Sequence, residues 1–282
     1  MKTMKFVRCS LLLLATVLFA GSFVLAQEGP LRDEQPNGLT VDQVVQKFAA
    51  KEQVFQQARH HYTWHQTIIV QTIDGGRVDG EYHSEEDVLF DSQGRRMETV
   101  TYAPESTLTR IMMTQQDFED IEKRMPFVLT TDEIPLYNIK YVGQQQEDEL
   151  NTYVFDISPK TIEKNRRYFD GRIWVDDHDF QIVKTYGKSV PDIVKSKDNE
   201  NLFPRFTTWR QQIDGKYWFP AYTRVDDVLH FSNGDVHVRQ IVKYTNYHYF
   251  GANVKITYQG KEVEKSPDAK QTPPQENPPP KK

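Results

Sequence analysis

The sequence predicts a mainly β (α+β) protein. Its centre is one curled antiparallel sheet, preceded by an N-terminal helix and interrupted by a mid-sheet helical insertion that covers its concave face. Three observations lead there. Runs rich in β-branched and aromatic residues recur between positions 62 and 249, and turn residues separate nearly all of them. One helical stretch precedes these runs and a second interrupts them. Joined by short connections, the runs read as about ten or eleven hairpin-linked strands, and a twisted sheet of that size curls or closes instead of lying flat.

The chain opens on a segment expected to lie outside the fold. Lys2, Lys5 and Arg8 make a basic start, residues 11–20 are apolar, and Val24-Leu25-Ala26 offers small enough side chains at −3 and −1. That layout predicts a signal peptide over 1–26, cleaved before Gln27, and hence secretion. The apolar run is too short for a comfortable span, so no stable membrane insertion is expected. Cleavage would leave 256 residues (282 − 26) with 32 Lys+Arg (35 − 3) against 40 Asp+Glu, a net charge of −8. Without a basic tract, nucleic acid is excluded as a partner. Cys9, the only cysteine, falls within the signal, which removes disulfides, zinc–thiolate sites and cysteine nucleophiles together.

Residues 27–38, with Pro30 and Pro36, read as a flexible lead-in, and residues 39–258 as one folded domain. Residues 259–282 are rich in proline and poor in apolar groups, the composition of a disordered tail. The domain begins with a well-marked helix. Thr40 and Gln43 form a capping box, Leu39 can staple onto Val44, and Val41, Val44, Val45, Phe48 and Phe55 make one apolar stripe ending near Arg59.

Strands are predicted over 62–73, 78–90, 96–102, 137–142, 152–157, 168–175, 180–186, 203–213, 217–225, 228–231 and 236–249. Between the third and fourth, Thr114 caps a short helix over about 115–125 with Phe118, Ile121 and Met125 on one side, and Pro126 ends it. This insertion and the irregular apolar residues up to 136 are expected to form a mobile cover over the concave side.

Each catalytic pattern fails on inspection. His61 and His65 would share a face only in a helix, yet Tyr62-Thr63-Trp64 begins a strand. Asp176-Asp177-His178-Asp179 lacks the run and terminal Glu of a calcium loop, and Asp suits a turn there. No Gly-x-Ser-x-Gly elbow and no glycine-rich phosphate loop occurs. The carboxylates of Glu85-Glu86-Asp87 and Asp226-Asp227 suit a solvated face. They leave a glycosidase open, since carboxylate separation decides that chemistry. No metal or cofactor is expected. The abundant strand aromatics admit either a core shared with helices or an apolar cavity.

Three stretches carry a resemblance: Tyr168-Phe-Asp-Gly-Arg-Ile-Trp-Val-Asp176, Phe180-Gln-Ile-Val-Lys184, and Ile213-Asp-Gly-Lys-Tyr-Trp-Phe-Pro220. Together they resemble the outer-membrane lipoprotein-sorting proteins of the LolA-like superfamily, which includes the periplasmic lipoprotein carrier and the stress sensor RseB. The resemblance implies a periplasmic protein whose fold is an incomplete barrel, its apolar concave side covered by helices, which binds lipid or lipoprotein acyl chains there and performs no catalysis. Candidates for lining that cavity are Trp64, Ile68, Val70, Phe118, Ile121, Tyr153, Phe155, Ile173, Val175, Phe180 and Ile182. The alternative it implies is an RseB-like sensor that binds a peptide or an envelope protein partner. The acidic balance, the proline-rich tail and the extra length depart from the typical carrier.

Overall fold

A computed structural model describes residues 28–195 and 200–250. The expected signal peptide, the proline-rich tail and the last residues of the expected domain lie outside that range.

Helix α1 (Val41–Arg59) is followed by β1 (Tyr62–Asp74), β2 (Arg77–Phe90) and β3 (Arg96–Tyr102). Helix α2 (Gln115–Lys123) and a single 3-10 turn (Ile134–Leu136) come next. Then follow β4 (Tyr137–Glu147), β5 (Leu150–Pro159), β6 (Tyr168–Asp176), β7 (Ile182–Val190), β8 (Ile193–Lys195), β9 (Glu200–Leu202), β10 (Phe206–Ile213), β11 (Tyr217–Phe231) and β12 (Gly234–Tyr249).

Ten strands form one antiparallel sheet in the order β3-β2-β1-β12-β11-β10-β7-β6-β5-β4. The sheet does not close, so β3 and β4 are its edges: this is an incomplete barrel. The capping box on α1 forms as the sequence requires, with Thr40 Oγ1 accepting from the Gln43 amide and Gln43 Oε1 from the Thr40 amide. The two expected strands around residues 225–228 are a single β11. Asp226 stays in it because its carboxylate faces His237 (2.6 Å) and Arg224 (2.9 Å). The β8–β9 pair was not legible in the sequence, since three residues per strand show no period.

Residues 28–35, read from the sequence as a flexible lead-in, lie along the β4 edge. Gly29 N donates to Gln146 O (2.8 Å), Arg32 N to Gln144 O (2.8 Å) and Gln144 N to Arg32 O (2.9 Å). Gly143 permits this approach: its φ is +146°, and a Cβ there would stand 2.2 Å from the Arg32 carbonyl oxygen. One open edge is thereby covered, and β3 keeps the other.

Alternation along each strand sends one row of side chains to the concave face. Trp64, Ile68, Val70, Phe155, Ile173, Val175, Ile182, Phe206 and Val242 meet Val44, Phe48 and Ala49 of α1 in one buried cluster. The glycine of the quoted motif has a packing reason. Gly171 pairs with Gly187 across β6–β7, and a Cβ on Gly171 would lie 2.5 Å from the Gly187 Cα. The ring of Phe169 occupies the space both glycines leave and stacks on Phe127 (4.3 Å between centroids).

Residues 125–129 are not a loose cover. Met125, Phe127 and Leu129 are buried in the same cluster, and Thr208 Oγ1 donates to Met125 O (2.8 Å).

At the centre of the concave face, Glu52 of α1 meets Arg210 of β10. Their side chains are 0% and 1% exposed, with guanidinium-to-carboxylate contacts of 3.0 and 3.1 Å. The Ile182 amide also donates to Glu52 (3.1 Å), and Arg210 Nη2 donates to the Phe127 carbonyl. Removing one partner strands the other charge out of water, at a typical cost of about 3–5 kcal/mol. Glu52→Met and Arg210→Met should each lower the urea-unfolding free energy by about that amount. The double substitution to methionine should cost clearly less than the sum of the two. Additive losses in a double-mutant cycle would contradict the coupling.

Candidate functional site

The concave face is filled by α1 and residues 125–129 over most of its length. Towards the β1–β2 turn it opens into a cleft of about 880 Å³. Its floor is Val70, Tyr82, Leu229 and Val238, one inward position from each of four adjacent strands. Its roof is residues 106–114, a strap leading from β3 back across the barrel mouth into α2. Leu108, Ile111, Met112, Met113 and Phe118 face the floor, and Leu202 and Phe231 close the far side.

The strap has no regular structure and is held by its polar residues. The Thr107 amide donates to Glu81 O (2.9 Å), and Thr107 Oγ1 accepts from the Glu81 amide (2.9 Å). Arg110 is the rivet: it donates to Ile73 O (3.2 Å), Asp79 Oδ2 (3.2 Å) and Asp235 O (3.0 Å), bridging the β1–β2 and β11–β12 turns. Where the strap becomes α2, Thr114 and Asp117 form a reciprocal capping box, and Asn201 donates to Thr114 Oγ1 (2.9 Å). Burial pushes the Asp117 carboxyl upward, against the hydrogen bonds from Thr114 and Asn201 that favour its charge. Arg110, Thr114, Asp117 and Asn201 also border the cleft, whose wall is apolar along the sheet floor and mixed along the strap. Met112 is 74% exposed at the rim, and Phe118 (37%) lies against Tyr82 with ring centroids 5.7 Å apart.

Of the eleven residues expected to line a cavity, Val70 and Phe118 border this cleft. Trp64, Ile68, Ile121, Tyr153, Phe155, Ile173, Val175 and Ile182 are together in the main core, beneath α1 and residues 125–129. Phe180 packs at that core's border, with the Lys47 ammonium 4.7 Å above its ring. The strap residues Leu108, Ile111, Met112 and Met113 were missed. The only signal was an apolar tetrad inside a segment with no periodicity.

A polar belt bounds the cleft on the inner side. Gln66 of β1 and Glu86 of β2 are register partners, and Ser84 Oγ donates to Glu86 Oε1 (2.8 Å). Glu86 is buried, and among the described residues no cation lies within ion-pair distance of it. Burial is the main cause that raises its pKa, and the Glu98 charge adds to it.

The catalytic candidates resolve into structure. His60 caps α1, and β1 starts at Tyr62, so His61 and His65 share no helix. His65 pairs instead with Asp87 (2.9 Å) on the outer face. Asp176 Oδ2 accepts from the amides of His178 (3.1 Å) and Asp179 (2.6 Å), and Phe180 takes φ +56°, forming a tight corner between β6 and β7. Asp179 Oδ2 accepts the Trp218 indole N–H (2.9 Å), which clamps the corner to β11. Among the described residues no three His, Asp or Glu side chains converge as metal ligands, and no helix is long and apolar enough to cross a membrane.

No protein-family model matches the sequence, and no curated protein matches it at a significant level. Among solved structures, the chain is similar to a DUF1329 family protein from Desulfovibrio piger. The TM-score is 0.39 at 13% identity, over 73% of this chain and 92% of that one. It is also similar to a LolA superfamily protein from Nitrosomonas europaea, with TM-score 0.36 and 12% identity over 76% and 94% of the two chains. At these levels the likeness concerns the path of the chain and assigns no activity, ligand or partner.

The raised pKa of Glu86 gives a signed prediction. The unfolded chain ionises this carboxyl at its usual pKa, while the folded chain holds the proton to higher pH. Stability associated with Glu86 is therefore complete below the usual carboxylate range and is lost as pH rises through the folded value. Glu86→Gln should match the parent in urea unfolding at pH 4 and exceed it at pH 8. A parent that is the more stable of the two at pH 8 would mean that the carboxylate is favourably paired.

Proposed function

We propose that this chain is a periplasmic binding protein for acyl chains of lipids or lipid-modified polypeptides, which it holds in the strap–sheet cleft without chemical change. The observation that carries this reading is the cleft's wall. About 880 Å³ lies between an apolar floor of Val70, Tyr82, Leu229 and Val238 and the strap's Leu108, Ile111, Met112 and Met113, with Arg110, Thr114, Asp117 and Asn201 along its border. That volume lies within the range of small-molecule sites, roughly 300–1,000 Å³. Each methylene moved out of water contributes about 0.8 kcal/mol, so about ten of them supply roughly 8 kcal/mol, the scale of micromolar binding before ordering costs. Methionines at the rim suit a ligand of variable shape, since their unbranched thioethers adapt at little cost. The sequence resemblance to lipoprotein-sorting proteins and the expected signal peptide support the same reading.

A second reading, an envelope sensor that recruits a protein partner, draws on a different observation. Among the described residues no strand pairs with the outer edge of β3, and Met97, Val100 and Tyr102 are exposed along it. Native mass spectrometry of the purified chain with lipid extraction separates the two: co-purifying acylated species support the first, a bare chain that binds an envelope polypeptide the second.

In titrations with a fluorescent fatty-acid probe, Met112→Asp and Phe118→Asp should each weaken binding about tenfold or more, from lost apolar contact and a charge set in the lining. Both sites are exposed enough that the melting temperature should hold. Unchanged affinity in both variants would remove the cleft as the site.

A further inference from the structure

At the end of the barrel opposite the cleft, the last residue of α1 meets β1, β3 and β12 around a second, much smaller pocket. Its volume is about 10 Å³, room for one water-sized sphere. The polar side chains lining it are Arg59, Trp64, Arg96, Tyr244 and Tyr247, the last already donating to the Pro220 carbonyl (2.7 Å), and Pro126, Phe219 and Pro220 supply hydrocarbon. Not one of the lining residues is acidic.

The donors outnumber their acceptors. Arg59 Nε and Trp64 Nε1 are both buried, and neither finds an acceptor in the protein. Among the described residues no carboxylate stands within ion-pair distance of Arg59; the charges acting on it from farther off are the guanidiniums of Arg96 and Arg210 and the carboxylates of Glu122 and Glu52. Arg96 itself is partly served: Nε donates to Glu98 (2.5 Å) and Nη2 to Gln66 (3.3 Å). The aromatic contacts of the two guanidiniums, Arg59 over Phe90 (5.9 Å) and Arg96 over Trp64 (5.5 Å), engage ring faces and satisfy no N–H. Burial, and then the charge of Arg96, lower the Arg59 pKa to about 10, which leaves it a cation at neutral pH. Tyr244 is held neutral by burial, its pKa pushed up to about 12, so its hydroxyl remains a donor.

Arginine and indole N–H groups donate and cannot accept. A water here would bring two donors of its own into a site poor in acceptors. A monatomic anion brings acceptor capacity alone and also relieves the repulsion between Arg59 and Arg96.

We propose that this pocket binds one small inorganic anion of halide size, chloride under physiological conditions, held by Arg59 Nε and Trp64 Nε1 with Arg96 and Tyr244 completing the cage. The anion cements the C-terminal end of α1 to β1 and β3, a role separate from ligand binding in the strap cleft.

Two measurements on the purified chain test this. Crystals grown in sodium bromide should show an anomalous peak within hydrogen-bond distance of Arg59 Nε and Trp64 Nε1. The melting temperature should rise with the logarithm of chloride concentration when ionic strength is held constant with gluconate, an anion too large for the pocket. Trp64→Phe keeps the packing and removes one donor, and should weaken the halide dependence about tenfold, as expected for one charge-assisted hydrogen bond. Arg59→Met should abolish it; if that variant does not fold, Trp64→Phe alone decides. Bromide found only at exposed arginines such as Arg95, or a halide response undiminished in Trp64→Phe, would overturn the proposal. So would a melting temperature indifferent to halide.

Discussion

The buried pair Glu52–Arg210 is the constraint on which the other packing depends. It is the point where α1, β10, the first residue of β7 and the chain following α2 are joined by hydrogen bonds in one place. Two charges moved together out of water gain little over an apolar pair of the same volume, because desolvation consumes most of their attraction. What the pair supplies is direction. Apolar contact between a helix stripe and a curved sheet is tolerant of sliding, whereas a bidentate guanidinium–carboxylate contact with a backbone amide on its free edge has one geometry. The helix therefore settles at one depth in the half-barrel.

That depth determines what is left for a ligand. With α1 seated at Arg210 and Phe127 stacked on Phe169, the middle of the concave face is core. Space remains at the two ends, and the two differ in kind. One is large, with an apolar floor, and is roofed by a strap whose polar anchors share its border. The other is small, lined by two arginines and an indole N–H, and sealed by Pro126 and Phe219. The belt of Gln66, Ser84 and Glu86 lies between them along β1 and β2. A single curved sheet thus carries an apolar site and a cationic one, separated by the residues least suited to either.

The strap belongs to the least stable class of element. It runs without regular hydrogen bonding, is fixed by Thr107 and Arg110, and exposes Met112. Segments of that kind open first in native proteins, because few buried contacts oppose it. Exchange through such an opening needs no movement of α1, so the core and the cleft can answer to different demands.

Local rules made much of this legible. The α1 capping box, its apolar stripe and its end at Arg59 follow from neighbours within four residues, as do the strand runs and the Asp176 corner. The signal for the central ion pair was present but local rules could not interpret it. Glu52 stands four residues after Phe48 on the apolar stripe of α1, and Arg210 is in phase with Phe206 and Thr208 on a strand. Each reads as an isolated polar intrusion until the fold sets them 3 Å apart. The same holds for the lead-in at 28–35, whose polar composition suggests no structure until the unpaired edge of β4 offers it carbonyls and amides. Which apolar residues border open space and which face one another is the clearest division. Trp64, Phe155 and Ile173 and the strap's Met112 are all apolar in sequence, and only the seating of α1 buries the first three and leaves the fourth at a rim. By itself the sequence determined the two helices, most of the strands and turns, and the curl of the sheet, because these rest on dihedral preference and periodicity. Tertiary structure alone decided the charge pairing, the covered edge and the location of open space, because each depends on atoms far apart in the chain arriving at one point.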